Sequence, residues 1–206
     1  MLINNSSANN KANYMSKDSS KEKHKLRLLW KERRKNISLN SCDRYEKFFI
    51  KNFKKAVGTF KNKIIAGYNP INHEVNCLKL LNFASKEGSK IALPYTNKNK
   101  ILEFREWNFD DPLKKDTLGI LSPPSKKIVI PDVIIIPLLC FDLNGTRLGM
   151  GLGIYDRSLP FYELSDKYGL AFSDQKTEKL IREEHDFLID GVITEKNFLS
   201  FERKKN

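Results

Sequence analysis

Arg147-Leu148-Gly149-Met150-Gly151-Leu152-Gly153-Ile154-Tyr155-Asp156-Arg157 alternates three glycines with apolar residues, sets an arginine at each end and carries an acid just before the last. Upstream stands Val133-Ile134-Ile135-Ile136-Pro137-Leu138-Leu139, an apolar run of the kind that fills a strand buried on both faces. Downstream, residues 157–168 read as a helix. Strand, glycine loop and helix in that order form the place where α/β proteins seat anionic ligands. Glycine lets successive N–H groups turn inward as a concave nest, and a helix N-terminus adds partial positive charge. The spacing matches neither G-x-G-x-x-G nor a Walker loop. Taken alone, the glycines are equally compatible with a surface turn.

Working outward, further strands are expected at Ile64 to Tyr68, Lys90 to Tyr95, Ile101 to Trp107, Gly169 to Phe172 and Asp190 to Glu195. Helices are expected between them: Lys21 to Lys35, where Leu26, Leu29 and Trp30 recur at helical spacing, then about Asn40 to Ala56 with Ser38 as its cap, and Asn72 to Ala84. Asp142-Leu143-Asn144-Gly145 reads as a β-turn. Strands alternating with helices, some of them continuously apolar, give an α/β fold: three layers, a mainly parallel sheet flanked by helices, Rossmann-like. Residues 1–20, rich in Asn, Ser and Lys, are expected to be a disordered extension, and residues 21–206 a single domain.

The formal charge of +12 invites a nucleic-acid reading. Its distribution argues against one, because residues 1–40 carry ten Lys/Arg against three Asp/Glu, hence +7 of the total. No aromatic residues interleave with the lysines as a stacking platform would need. No apolar run reaches membrane-spanning length, and no hydrophobic leader is apparent. Cys42, Cys77 and Cys140 form no C-x-x-C, so free thiols and a cytoplasmic location are expected.

The central string with the residues before it, Phe141-Asp142-Leu143-Asn144-Gly145-Thr146 running into Arg147 to Arg157, resembles the signature F-D-x-x-G-x-R-L-G-x-G-x-G-Y-Y-D-R of the 5-formyltetrahydrofolate cyclo-ligases. The likeness extends from Lys23 to Glu195. Residues 23–38 resemble the family's N-terminal K-x-x-L-R helix, and Asn72 to Asn76 its N-E-V-D-T turn. Gly119 to Pro123 resembles G-I-x-E-P with Ser122 in place of Glu. Glu184-His185-Asp186 and the strand after it resemble the family's H-D tail. Met150, Leu152 and Ile154 stand where relatives often carry tyrosine, lysine or glycine, and tyrosine.

The resemblance implies ATP-dependent closure of 5-formyltetrahydrofolate to 5,10-methenyltetrahydrofolate, with ATP and Mg2+ bound by a monomer whose substrate is a reduced folate, with or without a polyglutamate tail. It places the nucleotide on Lys23, Arg27, Arg147, Leu148, Gly149, Met150, Gly151, Leu152, Gly153, Ile154 and Tyr155. Arg147 and Tyr155 take catalytic roles. Folate falls to Tyr68, Asn69, Glu74, Trp107 and residues 150–154, and the metal to Asp156 and Asp186. Two other readings compete: a paralogue that binds nucleotide or folate without turnover, and a nucleic-acid protein using its basic N-terminus. Without the resemblance, Asp156 is a helix N-cap and Glu74 a first-turn carboxylate.

Overall fold

The computed structural model describes residues 6–40 and 45–201, with side chains from Ser20 onward. In chain order the elements are α1 (Ser6–Asn40), α2 (Glu46–Val57), β1 (Ile64–Ala66), α3 (Cys77–Lys86), β2 (Lys90–Thr96), β3 (Leu102–Glu106), β4 (Lys114–Lys115), β5 (Leu121–Ser122), β6 (Val133–Pro137), β7 (Cys140–Phe141), β8 (Arg147–Leu148), α4 (Ile154–Ser158), β9 (Asp166–Leu170), β10 (Gly191–Ile193) and β11 (Phe198–Ser200). Short 3-10 turns occupy Leu159–Tyr162 and Ser173–Gln175.

Strand β6 sits at the centre of a seven-stranded sheet ordered β11-β10-β9-β6-β1-β2-β3. Its side chains alternate between two cores, as a pleated strand requires. Val133 and Ile135 join Ile65, Ile91, Leu93 and Ile193 against Phe49, Phe53 and Val57 of α2 and Cys77, Leu80, Leu81 and Ala84 of α3. Ile134 and Ile136 face the other way, with Ala66, Ala92, Phe104 and Val192, toward Leu159, Tyr162 and Ile189. The five strands from β10 to β2 run parallel, and β11 and β3 close the edges antiparallel. The expected layered, mainly parallel sheet is present.

Local chemistry explains the helix ends. The side chain of Asn76 accepts from the amide of Leu78 at 3.1 Å and starts α3. Helix α2 buries Phe49, Phe53 and Val57 at four-residue intervals and stops at Gly58.

Several boundaries differ from expectation. Helix α1 runs through Ser38, which therefore caps nothing, and α2 starts at Glu46 after Tyr45. Within the stretch 1–20 the described backbone is helical from Ser6, and residues 1–5 lie outside the described residues. The helix expected over 157–168 reduces to one turn of α4 and a 3-10 turn, because Pro160 has no N–H to give and β9 already begins at Asp166. Helix α3 begins at Cys77, since Asn72 and His73 have φ of 49° and 66° and form a turn. The hairpin β7–β8, with Asp142 Oδ1 accepting from Asn144 and Thr146, encloses the expected Asp142–Gly145 turn.

Candidate active site

The carboxyl ends of β1, β2 and β6 open onto a cavity of about 450 Å³, lined there by Tyr68, Asn69, Pro94, Thr96, Pro137 and Leu138. The chain order explains the place. Strand β1 has β2 on one side and β6 on the other, so the segments leaving β1 and β6 diverge and a crevice stays open between them.

Helix α1 roofs that crevice. Trp30, 4% exposed, packs into a small cluster with Leu139, Cys140, Leu148 and Leu180 and so fixes the helix's rotation. Lys23, Arg27 and Arg34 lie on the stripe that contains Trp30, spaced like the inward face of an amphipathic helix, and all three line the cavity. This stripe turns three of the ten N-terminal Lys/Arg inward, while Lys21, Lys25, Lys31, Arg33 and Lys35 stay exposed.

Opposite the helix, the glycine loop joins β8 to α4. Its Gly151 and Gly153 have φ of 100° and 61°. Arg27 Nε donates to the carbonyl of Gly149 at 3.2 Å, which ties the roof to the loop. Helix α4 is a single turn of five residues, so the macrodipole expected behind the loop is that of one turn only. Arg147, 9% exposed, donates from Nη2 to Asp156 Oδ1 at 2.6 Å and from Nη1 to the carbonyl of Phe187. The amide of Phe187 donates to the same Asp156 oxygen at 3.1 Å. Asp156 thus touches the residue adjoining Asp186, and both acids line the cavity.

A second charged cluster flanks the first. Lys23 Nζ lies 2.8 Å from Glu183 Oε2 and 2.5 Å from Asp186 Oδ2. Glu183, His185 and Asp186 can each bring one ligand atom within 4.8 Å of the others. Asp156 stands outside this group; its Oδ1 is held by Arg147 and Phe187.

At the far end, Glu74 meets a buried arginine. Arg34, 1% exposed, donates from Nη1 to the carbonyl of Leu138 at 3.1 Å and from Nη2 to the carbonyl of Asn72 at 2.8 Å. Its Nη1 lies 3.5 Å from Glu74 Oε1, while Glu74 Oε2 accepts from the amide of Ile71 at 3.0 Å. Burial raises the carboxyl of Glu74 above its ordinary pKa, with the Ile71 amide and Arg34 pulling it back. Burial likewise raises the phenols of Tyr68 and Tyr155, so both stay protonated donors. Tyr68 spends its proton on the carbonyl of Val75 at 2.9 Å.

A family model described as the 5-formyltetrahydrofolate cyclo-ligase family matches residues 19–195. The chain belongs to that family. It is therefore an enzyme of the ligase class. Its relatives include the 5-formyltetrahydrofolate cyclo-ligases of Haemophilus influenzae, 30% identical over 64% of this chain and 75% of that protein, and of Escherichia coli K12, 31% identical over 63% of this chain and 76% of that one. A solved structure of the Aquifex aeolicus 5,10-methenyltetrahydrofolate synthetase superposes with a TM-score of 0.76 at 31% identity, covering 89% of this chain and 95% of the other.

The cavity gathers every residue that the sequence marks for nucleotide, folate or metal except one. Trp107 is 5% exposed in the core, with its indole N–H donating to the carbonyl of Asp111 at 3.1 Å, and it does not line the cavity. The resemblance implied a folate contact, but the residue just after β3 packs into the core cluster with α2 and α3. Sequence reasoning missed Arg34, Asp116 and Glu183. Arg34 had a signal: Lys23, Arg27, Trp30 and Arg34 follow one helical stripe. Glu183 and Asp116 had none, since loop carboxylates look alike until the fold places them.

Proposed function

We propose that this chain closes the ring of 5-formyltetrahydrofolate to give 5,10-methenyltetrahydrofolate, with ATP and Mg2+, releasing ADP and phosphate. The observation that carries the reading is a division of one cavity. Lys23, Arg27, Arg147 and the glycine loop line one part, and a buried carboxylate beside Tyr68 lines another.

The chemistry asks for both parts. A formamide carbon is a poor electrophile and its oxygen a poor leaving group. The formyl oxygen attacks the γ-phosphorus of ATP and ADP departs, which leaves a phosphorylated imidate. Nitrogen-10 of the same folate then attacks that carbon, loses its proton, and phosphate leaves. The second step is intramolecular, so alignment supplies much of its rate. Charge develops on phosphoryl oxygens, which fixed cations in a water-poor cleft stabilise.

The cations and loop amides suit the triphosphate. Arg147, steadied by Asp156 and the Phe187 carbonyl, is oriented toward it before the nucleotide arrives. Glu74 offers acceptors to the adjacent N–H donors of the pterin ring, each oxygen keeping a lone pair beyond its present contacts. Magnesium favours carboxylate oxygens together with phosphates and water. Asp186, Glu183 and Asp156 are oxygen donors of that kind; the ion they would hold neutralises phosphate charge. Lys23 then has phosphate as its alternative partner. A cytoplasmic monomer acting on a reduced folate completes the proposal; among the described residues no helix is long and apolar enough to cross a membrane.

The test is direct. Purified protein with 5-formyltetrahydrofolate, ATP and Mg2+ should develop methenyl-folate absorbance with one ADP per product. Folate and nucleotide binding without turnover would favour the paralogue reading, for which Met150, Leu152 and Ile154, standing where relatives often carry other residues, are the motive.

A further inference from the structure

We infer that Arg34 is a positioning residue for the folate, acting through Glu74 by aiming its carboxylate and keeping it charged in a buried pocket. This rests on the folate site proposed above. Three observations meet at this guanidinium. It is 1% exposed and lines the cavity. It joins three segments: the carbonyl of Asn72 in the turn after β1, the carbonyl of Leu138 after β6, and Glu74. Its Nε, equally buried, has no hydrogen-bond partner among the described residues.

An orphaned buried N–H is costly, and at Arg34 the unspent donor belongs to a side chain that lines the cavity. A desolvated carboxylate with no cation beside it takes up a proton instead, and a protonated carboxyl cannot accept from two adjacent pterin N–H groups. The groups facing Glu74 are Arg34 from α1, Tyr68 from the segment after β1, Cys77 from α3 and Tyr155 from α4. Arg34 is the cation among them. The phenols and the thiol hold their protons, so the Ile71 amide and Arg34 are the groups that favour the charged form of Glu74, and Arg34 is the one a side-chain substitution removes. The fork geometry also matters: two carbonyls and one carboxylate are engaged at once, which a lysine ammonium on a flexible stem does not reproduce.

The experiment is equilibrium binding of 5-formyltetrahydrofolate by calorimetry, with no nucleotide, across pH 5.5 to 8.5. Wild type, Arg34→Gln, Arg34→Lys, Glu74→Gln and the double variant are compared, each checked for native circular dichroism. Arg34→Gln should weaken folate binding roughly 10- to 100-fold, the worth of a charge-assisted hydrogen bond. The pH below which binding is lost should move upward, since the cation that favours the carboxylate is gone. Arg34→Lys should restore the pH midpoint and only part of the affinity, and it stands in where Arg34→Gln does not fold. In the Glu74→Gln background, Arg34→Gln should cost nothing further, and affinity for a non-hydrolysable ATP analogue should not change in any variant. Additive losses from the two substitutions, an unmoved pH midpoint, or equal weakening of nucleotide would overturn the inference. Folate binding by wild type without ATP-dependent turnover would refute the proposed reaction and leave the role of Arg34 to these measurements; no folate binding by wild type would refute both.

Discussion

Replacing each glycine of the loop by alanine separates three positions that the sequence presents as equivalent. A Cβ on Gly149 meets no other atom within 4 Å, and its φ is not in the left-handed region. A Cβ on Gly151 stands 3.1 Å from Arg27 Nε, 3.3 Å from its Cζ and 3.4 Å from its Cδ, at φ +100°. A Cβ on Gly153 stands 2.9 Å from Arg157 Nη1, at φ +61°. Arg157 is exposed, and its far end can swing away, so Gly153→Ala carries mainly the backbone cost. Arg27 cannot move as freely, because its Nε is bound to the Gly149 carbonyl. Holding alanine at such a φ costs about 1–3 kcal/mol. At roughly 2–4 °C per kcal/mol for a chain of this size, melting should fall by about 2–12 °C in Gly151→Ala and Gly153→Ala. Gly149→Ala should melt within about 1 °C of wild type on the same scale. Gly151→Ala should in addition raise the KM for ATP about tenfold, as expected when one charge-assisted contact is displaced. Thermal melts with steady-state ATP titrations measure both. Equal melting shifts in all three variants, or wild-type ATP dependence in Gly151→Ala, would refute the loop geometry and the role given to Arg27.

Trp107→Phe should lower stability by about 1–2 kcal/mol, since it removes a buried N–H···O bond and ring volume, while leaving the KM for folate unchanged; denaturant melts and a folate titration check this. Arg147→Ala should reduce kcat/KM for ATP at least about 100-fold, because it removes a cation and frees Asp156 together, and Asp156→Asn should recover none of that loss when combined with it. Burial pushes the thiols of Cys77 and Cys140 up to about 12 from an ordinary 9.0. Both should resist alkylation at pH 8 in the native protein, as read by peptide mass. The folded state retains these protons where the unfolded chain has lost them, so stability should fall as pH rises from 9 toward 12, by up to about 1.4 kcal/mol per pH unit for each thiol.

How much of this was legible before folding depends on what each residue type can signal alone. The apolar run at 133–137 announced a doubly buried strand, and the loop with its flanking arginine and aspartate marked the crevice. Periodicity failed where short elements are set by tertiary contacts. Residues 157–168 carry helical spacing, yet Ser165 bonds the Pro131 carbonyl and β9 pairs with β6 from Asp166, so the sheet claims them. Trp107 was a folate candidate by resemblance, and nothing in the sequence distinguishes an aromatic side chain in a core from one in a pocket. Arg34 was overlooked for the opposite reason: in a helix this basic, charge reads as solvent-facing, and only the phase shared with Trp30 distinguishes it. Glu183 reaches Lys23 across 160 positions, a pairing that no local pattern encodes.

The most direct measurement is a single reaction followed at the methenyl-folate absorbance, with ADP quantified in parallel and each of ATP, Mg2+ and 5-formyltetrahydrofolate left out in turn. The proposed reaction gives product only with all three present, and one ADP for each ring closed. Absorbance that rises without ATP, or ATP turnover that never yields methenyl-folate, would contradict it.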